Sequence, residues 1–238
     1  TPLLRHSVLR GIAVVTTAAL LVASCGGGNG TNSGGNAAVQ GAASQGGVDA
    51  GLGLKLEAHS WTFRNYAPSK AEAFDIADAV ALFGAGSVCV EAPVDGACVP
   101  TPEATAWIDM VAGVMVGGAC EGMTVSSLDR FLAGTTPSTG DLPRSDAYLH
   151  RIALLFATQF LGDVIDATAQ WRAQPIKAIV AELGRSLSDP RNEQYTIGLY
   201  SSHGGHSVLP YRLEGVARTN VRVYIYDPNW PGEPRWTD

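Results

Sequence analysis

Cys120 has the surroundings of a nucleophilic thiol. It follows Gly117-Gly118-Ala119, at the point where a helical pattern begins (CEGMTVSSLDRFLAG). A thiol at a helix N-terminus feels the positive end of the helix dipole, which lowers its pKa and favours the thiolate. The glycines allow a tight turn and the close approach of a substrate carbonyl, toward which the backbone N–H of Cys120 would point. Cys120 is therefore the candidate nucleophile.

His206 is the candidate general base for this thiol. It follows two glycines and begins the strand pattern SVLPYRL, and the next strand pattern, VRVYIY, ends at Asp227-Pro228-Asn229. Two antiparallel strands with a short connection place the start of the first beside the end of the second. His206 is thus predicted to neighbour Asp227 or Asn229, either of which would hold the imidazole tautomer. His203, in the same HGGH segment, is an alternative base.

The other three cysteines differ from Cys120 in their surroundings. Cys25 ends the sequence VASC, in which small residues precede a cysteine as in a bacterial lipobox, so we expect cleavage before it and lipidation of its thiol. Cys89 and Cys98 lie in one Pro- and Gly-containing segment, and in an exported protein they are predicted disulfide partners. Cys120 is then left as an unshared thiol, which in an exported protein is either buried and inert or reactive.

The N-terminal region indicates export and anchoring. Residues 1–24 combine a basic head with the short apolar stretch GIAVVTTAALLV, which is typical of a signal peptide. Residues 25–53 are rich in glycine and lack aromatic residues, so we expect a flexible tether after the lipidated cysteine. The predicted location is the bacterial cell envelope, on the outer face of the plasma membrane or on the outer membrane. Residues 54–238 form the predicted folded domain.

Helical patterns precede strand patterns in the folded domain. This order favours an α+β fold over a doubly wound sheet. Ser69 and Ser145 are the predicted caps of two of the helices. Helices are predicted over 69–84, 101–114, 120–134, 145–172 and 174–187, an extended segment within 54–66, and strands over 194–200, 207–213 and 220–226.

The composition excludes several classes of protein. The 238 residues carry a formal net charge of −6, with no basic domain or stripe, so nucleic acid is not an expected partner. The body of the chain has no apolar run of the roughly 18 residues that a membrane span needs, so a polytopic membrane protein is also excluded. The pattern His203-x-x-His206 is a weak metal-ligand signal without a nearby cysteine pair, and neither a metal nor a cofactor is expected.

The order of Cys120, His206 and Asp227 resembles the papain-like cysteine peptidase superfamily. The strongest local similarities are GGACEGM and GGHSV…VYIYDPNWPG, and the pairing of His with Asp-Pro is most similar to the double-glycine-leader peptidase branch. The resemblance implies a helical half carrying the cysteine and an antiparallel sheet carrying His206 and Asp227. It further implies hydrolysis of a peptide or protein substrate, with Asp227 rather than Asn229 as the orienting group.

The chain departs from the papain-like pattern in two places. Val114 stands where these families have a glutamine that donates to the oxyanion, and the amide of Asn65 is the predicted substitute. The chain also ends soon after Asp227, where this fold usually continues with further strands, which indicates truncation at the C-terminus.

Three other functions fit parts of the pattern. A catalytically degenerate papain-like domain would bind partners at the envelope, and Val114 supports it. A transglutaminase-like acyl transferase would use the same Cys-His-Asp order. Finally, GACEG at 118–122 has the form of a nucleophile elbow. An α/β-hydrolase needs strands and helices that alternate throughout, with the acid, here Asp189, before the histidine, so the order of the elements disfavours it.

Overall fold

The computed structural model describes residues 12–15, 48–90, 97–202, 204–215 and 220–238, and it has an α+β fold. Its helices precede most of its strands, as the sequence predicts. The helices are α1 (Leu56–His59), α2 (Ile76–Phe83), α3 (Ala85–Val88), α4 (Pro102–Met115), α5 (Cys120–Leu132), α6 (Asp146–Ala157), α7 (Gly162–Arg172) and α8 (Ile176–Leu187). The strands are β1 (Ile12–Val15), β2 (Val48–Gly51), β3 (Ile197–Ser201), β4 (Gly204–Glu214), β5 (Arg222–Tyr226) and β6 (Arg235–Thr237).

The sheet is organised around β4. Strand order is β1-β3-β4-β5-β6, and β2 pairs with β4 outside this path. The pairings of β2 through β6 are antiparallel, whereas β1 lies parallel to β3. One edge of β4 pairs first with β3 (residues 204–208) and then with β2 (residues 212–214), while β5 pairs with residues 209–214 on the other edge.

Two apolar clusters form the interior, and α5 belongs to both. The sheet cluster joins α8 to the strands and includes Leu128 of α5. The helical cluster joins α4 and α6 and includes Cys120 and Met123 of α5. The two helices α5 and α6 approach so closely that a Cβ on Gly122 would lie 2.0 Å from the backbone oxygen of Ile152. Helix α5 is therefore the element through which the helical and sheet halves share one interior.

Several predicted boundaries are wrong. β1 lies inside the predicted signal peptide and β2 inside the predicted tether, and they pair with β3 and β4, so two strands of the sheet precede the domain start predicted at Leu54. The segment 54–66 contains the helical turn α1, whereas an extended segment is predicted there. The helix predicted from Ser69 begins at Ile76, because the Asp75 side chain accepts hydrogen bonds from two backbone N–H groups of the first turn.

The long helix predicted over 145–172 is also wrong, because it is two helices. A short 3₁₀ turn at Thr158–Phe160 follows α6, and the extended backbone of Leu161 separates it from α7. The predicted start of α5 at Cys120 is confirmed, and the helix predicted over 101–114 is found at Pro102–Met115, where the Thr101 hydroxyl caps it. Among the described residues, no single helix is long and apolar enough to cross a membrane. Two pairs of consecutive helices reach the necessary length and composition if the two helices of a pair are counted as one, but each pair is sharply bent at the break between them.

Candidate active site

Cys120 is the first residue of α5. The turn before it closes through a hydrogen bond from the Gly118 N–H to the Met115 carbonyl (2.8 Å), and Gly118 has a φ of +123°, which favours glycine. The capping position, Ala119, has no side chain that can accept from the first turn. The N–H groups at this helix start are thus not capped by a side chain of residue 119. Cys120 itself is only 1% exposed.

The Cys120 sulfur meets the sheet beyond the end of β5. Because β5 ends at Tyr226 opposite Leu209, residues 204–208 of β4 have β3 on one edge and no paired strand on the other within the described chain. Helix α5 starts at this place. The backbone N–H of Ser207 donates to Cys120 Sγ at 3.4 Å. A main-chain donor of the sheet therefore faces the sulfur, where it would stabilise a thiolate.

His206 and Asp227 lie side by side, as the pairing of β4 with β5 predicts. His206 Nε2 is 2.7 Å from Asp227 Oδ1. The same carboxylate oxygen accepts the backbone N–H of Asn229 at 2.9 Å, and the Asn229 side chain lies 3.3 Å from His206 Nε2. Since the carboxylate is the acceptor for Nε2–H, the imidazole is held in the tautomer whose Nδ1 accepts a proton.

Opposing effects set the pKa of Asp227. Burial alone would raise it, but hydrogen bonds from His206 and from the Asn229 N–H, together with the charges of His206 and Arg235, bring the pKa below its ordinary value. Arg235 Nε lies 4.0 Å from Asp227 Oδ2. Asp227 is therefore an ionised partner for the imidazole across neutral pH.

Asn65 connects the start of α5 to the turn after β5. Its Oδ1 accepts the Ala119 N–H at 2.8 Å, and its own N–H donates to the Pro228 carbonyl at 2.7 Å. Because Ala119 N–H is a donor, the side-chain atom it meets is the oxygen, and the amide nitrogen is the other end. The residue predicted to replace the missing glutamine thus lies next to Cys120. Val114 is partly buried and packs against the helical cluster.

A buried hydrogen-bond network next to Cys120 was not predicted from the sequence. Ser207 Oγ bonds to Glu121 Oε2 and lies 3.1 Å from Thr124 Oγ1, while Thr196 Oγ1 donates to Glu121 Oε1 at 3.1 Å. Burial raises the pKa of Glu121, although the hydrogen bonds from the Ser207 and Thr196 hydroxyls act to lower it. The network fixes the position of Ser207, whose N–H faces the sulfur. Its only signal in the sequence is a glutamate beside the cysteine.

The cysteines are arranged partly as predicted. Cys89 and Cys98 form the predicted disulfide, with their Cα atoms 5.3 Å apart. The prediction that Cys120 is an unshared thiol is wrong, because Cys120 is disulfide-bonded in this structure. Cys25, predicted to be lipidated, lies outside the described residues, as does His203, the alternative base.

A second cluster of polar groups joins the start of α2 to α6. One ligand-type atom each of Asp75, Asp78 and His150 lie within 4.8 Å of one another. Asp75 Oδ1 already accepts the N–H groups of Ala77 and Asp78, and Asp78 Oδ2 lies 3.1 Å from both the Asp75 N–H and His150 Nδ1. These contacts explain the cluster as a helix cap with a histidine partner.

The structure thus brings five of the predicted site residues to one place. Cys120 and Asn65 lie at the start of α5, and His206, Asp227 and Asn229 lie at the adjoining strand ends. Comparisons with models of protein families, with curated proteins and with solved structures find no match for this chain. The chemistry of these side chains is therefore the basis on which the function is inferred.

Proposed function

We propose that this protein is a papain-like cysteine peptidase that hydrolyses peptide bonds through a thioester on Cys120. One observation carries the proposal. His206 is held by Asp227 at 2.7 Å, and the very next residue, Ser207, contacts the Cys120 sulfur at 3.4 Å. A thiol at a helix start, an imidazole and an orienting carboxylate are the groups that nucleophilic acyl transfer requires.

The reaction would proceed in two steps. The Cys120 thiolate adds to the substrate carbonyl carbon, and the C–N bond breaks as His206 Nδ1 gives its proton to the leaving amine. Water then loses a proton to His206 and adds to the thioester, and the sulfur leaves as a thiolate. Asp227 stays ionised throughout and stabilises the imidazolium, consistent with its lowered pKa.

In this proposal two donors would stabilise the oxyanion of the tetrahedral intermediate. The backbone N–H of Cys120 lies at the start of α5, and the Asn65 side chain is fixed beside it through Ala119. Preorganised donors of this kind contribute about 3 kcal/mol each to transition-state stabilisation. In this proposal Asn65 takes the role of the glutamine that Val114 replaces.

The active form would be the reduced one. Cys120 is disulfide-bonded and only 1% exposed, so the sulfur must be released and uncovered before it can meet a substrate carbonyl. Peptide hydrolysis should consequently need a thiol reductant. Hydrolysis that appears only with reductant, and that is absent from Cys120→Ala with or without reductant, would connect the activity to this sulfur.

Alkylation and hydrolysis together test the proposal. The full chain is reduced and treated with iodoacetamide at pH 6, and the labelling of Cys120 is followed by peptide mass mapping. A thiolate paired with His206 is expected to label at least about tenfold faster than an ordinary thiol of pKa about 8.5. The same reduced protein is incubated with a peptide library, and new termini are identified by mass spectrometry.

Matched variants identify the base. His206→Ala should slow the alkylation and abolish hydrolysis, whereas His59→Ala, a histidine bonded to Lys55 on α1, should change neither. Labelling of reduced Cys120 at the rate of an ordinary thiol, together with no cleaved peptide, would exclude the peptidase. Hydrolysis that survives Cys120→Ala would do the same.

The second candidate function is a papain-like domain that binds a partner without catalysis. The observation that favours it is the burial of Cys120 within a disulfide, which withholds the nucleophile. Transfer of the acyl group to an amine, as in transglutaminase-like enzymes, uses the same thioester. An added primary amine distinguishes it, since the amine would appear in the products in place of water.

We also propose that the protein, in the form with Cys120 reduced, is anchored in the bacterial cell envelope through a lipid on Cys25. The support is the sequence around VASC, with its basic and apolar leader. Expression with a radiolabelled fatty acid should label the wild-type chain and leave Cys25→Ser unlabelled. Equal labelling of the two chains would remove the anchor.

A further inference from the structure

Two arginines lie against one tryptophan next to the candidate active site. The Arg64 and Arg235 guanidinium carbons are 5.1 Å and 4.4 Å from the ring centroid of Trp230. Trp230 is 38% exposed, so the group they form reaches solvent. We call Arg64, Trp230 and Arg235 the arginine–tryptophan cluster. An indole face attracts a guanidinium and leaves its N–H donors at the ring edge available to a ligand.

The cluster is attached directly to the catalytic groups. Arg64 precedes Asn65, which contacts both Ala119 and Pro228. The backbone N–H of Trp230 donates to the backbone carbonyl of Asp227 at 2.9 Å, and this bond closes the turn after β5. Arg235 reaches the second oxygen of Asp227 at 4.0 Å. Each member of the cluster is thus one or two bonded contacts from Asn65 or Asp227.

The positive charge of the cluster is only partly balanced. Asp227 is shared between His206 and Arg235, and Arg64 forms no ion pair with any residue that the structure describes. Glu233, the acidic residue of the same turn, pairs with neither arginine among those residues. The chain as a whole is acidic, with a net charge of −6, so this local excess of positive charge differs from the rest of the molecule.

We propose that the arginine–tryptophan cluster binds a carboxylate of the substrate. The inference rests on the proposed function and narrows its substrate class to acidic peptides. Two guanidinium groups offer charge-assisted, forked hydrogen bonds that match the geometry of a carboxylate. The carboxylate is either a Glu or Asp side chain or the free C-terminus of a peptide. In both cases it lies near the scissile bond.

Paired peptides test the substrate class. For a sequence that the reduced enzyme cleaves, kcat/KM is measured with Glu or Gln at each position flanking the bond, and with a free or an amidated C-terminus. The carboxylate form of one pair should be preferred by about tenfold, as expected for a charge-assisted hydrogen bond. The pair that shows the preference identifies the source of the carboxylate.

Variants assign the preference to the cluster. Arg64→Gln and Arg235→Gln should each reduce it, and the double variant should remove it through a rise in KM for the acidic peptide. Arg222→Gln is the matched control, because Arg222 lies over Trp236 at 5.1 Å in the same kind of stack, at the opposite end of β5. A preference that survives the double variant, or no preference in the wild type, overturns the proposal.

A measurement without peptides separates this proposal from the peptidase. Reduced Cys120 is alkylated with anionic iodoacetate and with neutral iodoacetamide, and the ratio of the two rates is compared between variants. The neutral reagent reports any change in thiol reactivity that reaches Cys120 through Asp227, and beyond that change the double variant should lower the ratio severalfold, whereas Arg222→Gln leaves it unaltered. An unchanged ratio in a folded double variant refutes the anion site. A lowered ratio without any peptide hydrolysis supports the site and rejects the peptidase.

Discussion

The helical and sheet halves of the molecule are packed with different side chains. The helical cluster is centred on large aromatic and sulfur-containing residues, such as Trp61, Met115 and Phe156. The sheet cluster consists mainly of leucine, isoleucine and valine side chains from α8 and the strands. Both interiors are apolar, and buried polar side chains of α5 bond to both halves: Thr124 to Ser207 of the sheet, and Ser126 to Trp61 of the helical cluster.

This difference explains where the candidate site forms. Trp61 Nε1 donates to Ser126 Oγ at 2.9 Å, and Thr124 and Glu121 contact Ser207, so α5 carries polar groups into the contact between the halves. A helix start and a strand end meet only at such a contact. The two interiors supply stability, and the polar contact between them holds the groups of the candidate site.

The largest expected effects come from removing a core side chain in either half. Phe156→Ala should cost about 4 kcal/mol and Leu209→Ala about 3 kcal/mol, because both side chains are fully buried and each change leaves a cavity. Since α5 packs into both clusters, each variant should still unfold in one transition by far-UV circular dichroism and by tryptophan fluorescence. Two separate transitions would mean that the halves are independent units.

The contact between α5 and α6 should be almost as sensitive. Gly122→Ala would place a Cβ 2.0 Å from the Ile152 backbone oxygen, so the helices must move apart, at a cost of about 2–3 kcal/mol. Urea unfolding measures the change. The control is Gly113→Ala on α4, where a Cβ meets no atom within 4 Å and helix propensity should stabilise the protein by about 0.5–1 kcal/mol. Equal effects at the two glycines would contradict the close packing.

The polar contact itself should have a smaller effect on stability. Ser207→Ala leaves buried oxygens of Glu121 and Thr124 without this hydroxyl, at a cost of about 1–2 kcal/mol. This loss of stability should be greater at neutral than at acid pH. The Ser207 hydroxyl stabilises the ionised form of Glu121, which burial disfavours, and at acid pH the carboxyl is protonated and depends less on that donor. Ser188→Ala, an exposed serine bonded to the Arg185 carbonyl, should change the free energy of unfolding by less than about 0.5 kcal/mol. A similar loss of stability in both variants would show that the buried hydrogen bonds of Ser207 contribute no more than those of an exposed serine.

The smallest predicted effect lies in the helical half. The hydrogen bond to Asp78 raises the pKa of His150, so the native state binds this proton more tightly than the unfolded state. The resulting stability is fully present below the unfolded pKa of about 6.5 and is lost as the pH rises through the raised native value. For this partly exposed pair the decline should be about 0.5 kcal/mol or less. In His150→Gln the free energy of unfolding, measured with urea, should vary less between pH 6 and pH 8 than in the wild type. Parallel pH curves for the two proteins would contradict this prediction.

Local sequence signals located the groups of the candidate site well. The glycines before Cys120 predicted the start of α5, and the order of two strand patterns predicted that His206 meets Asp227. Both inferences depend on short segments whose geometry is set by neighbouring residues. The predicted start of α2 is wrong because Ser69 and Asp75 are both residue types that cap helices well, and only the fold determines which of them is the cap.

Contacts between distant segments could not be predicted in this way. The Glu121–Ser207 network and the stack of Arg64 and Arg235 on Trp230 each join residues far apart in the chain. Likewise, the periodicity of 145–172 continues through the break at Leu161, although the backbone there is extended and a new helix begins at Gly162. In these places tertiary structure, and not local preference, determines the outcome.

The position of β4 also determines the order in which the molecule can assemble. β2 must wait for residues 212–214, and the Cys120 sulfur must wait for Ser207, which follows it by 87 positions. Pairings over such separations form slowly, because a long segment has to be ordered first. During synthesis from the N-terminus, Cys120 consequently leaves the ribosome long before the strand that covers it. The interval in which this thiol can react with an oxidant is set by the arrival of the last quarter of the chain.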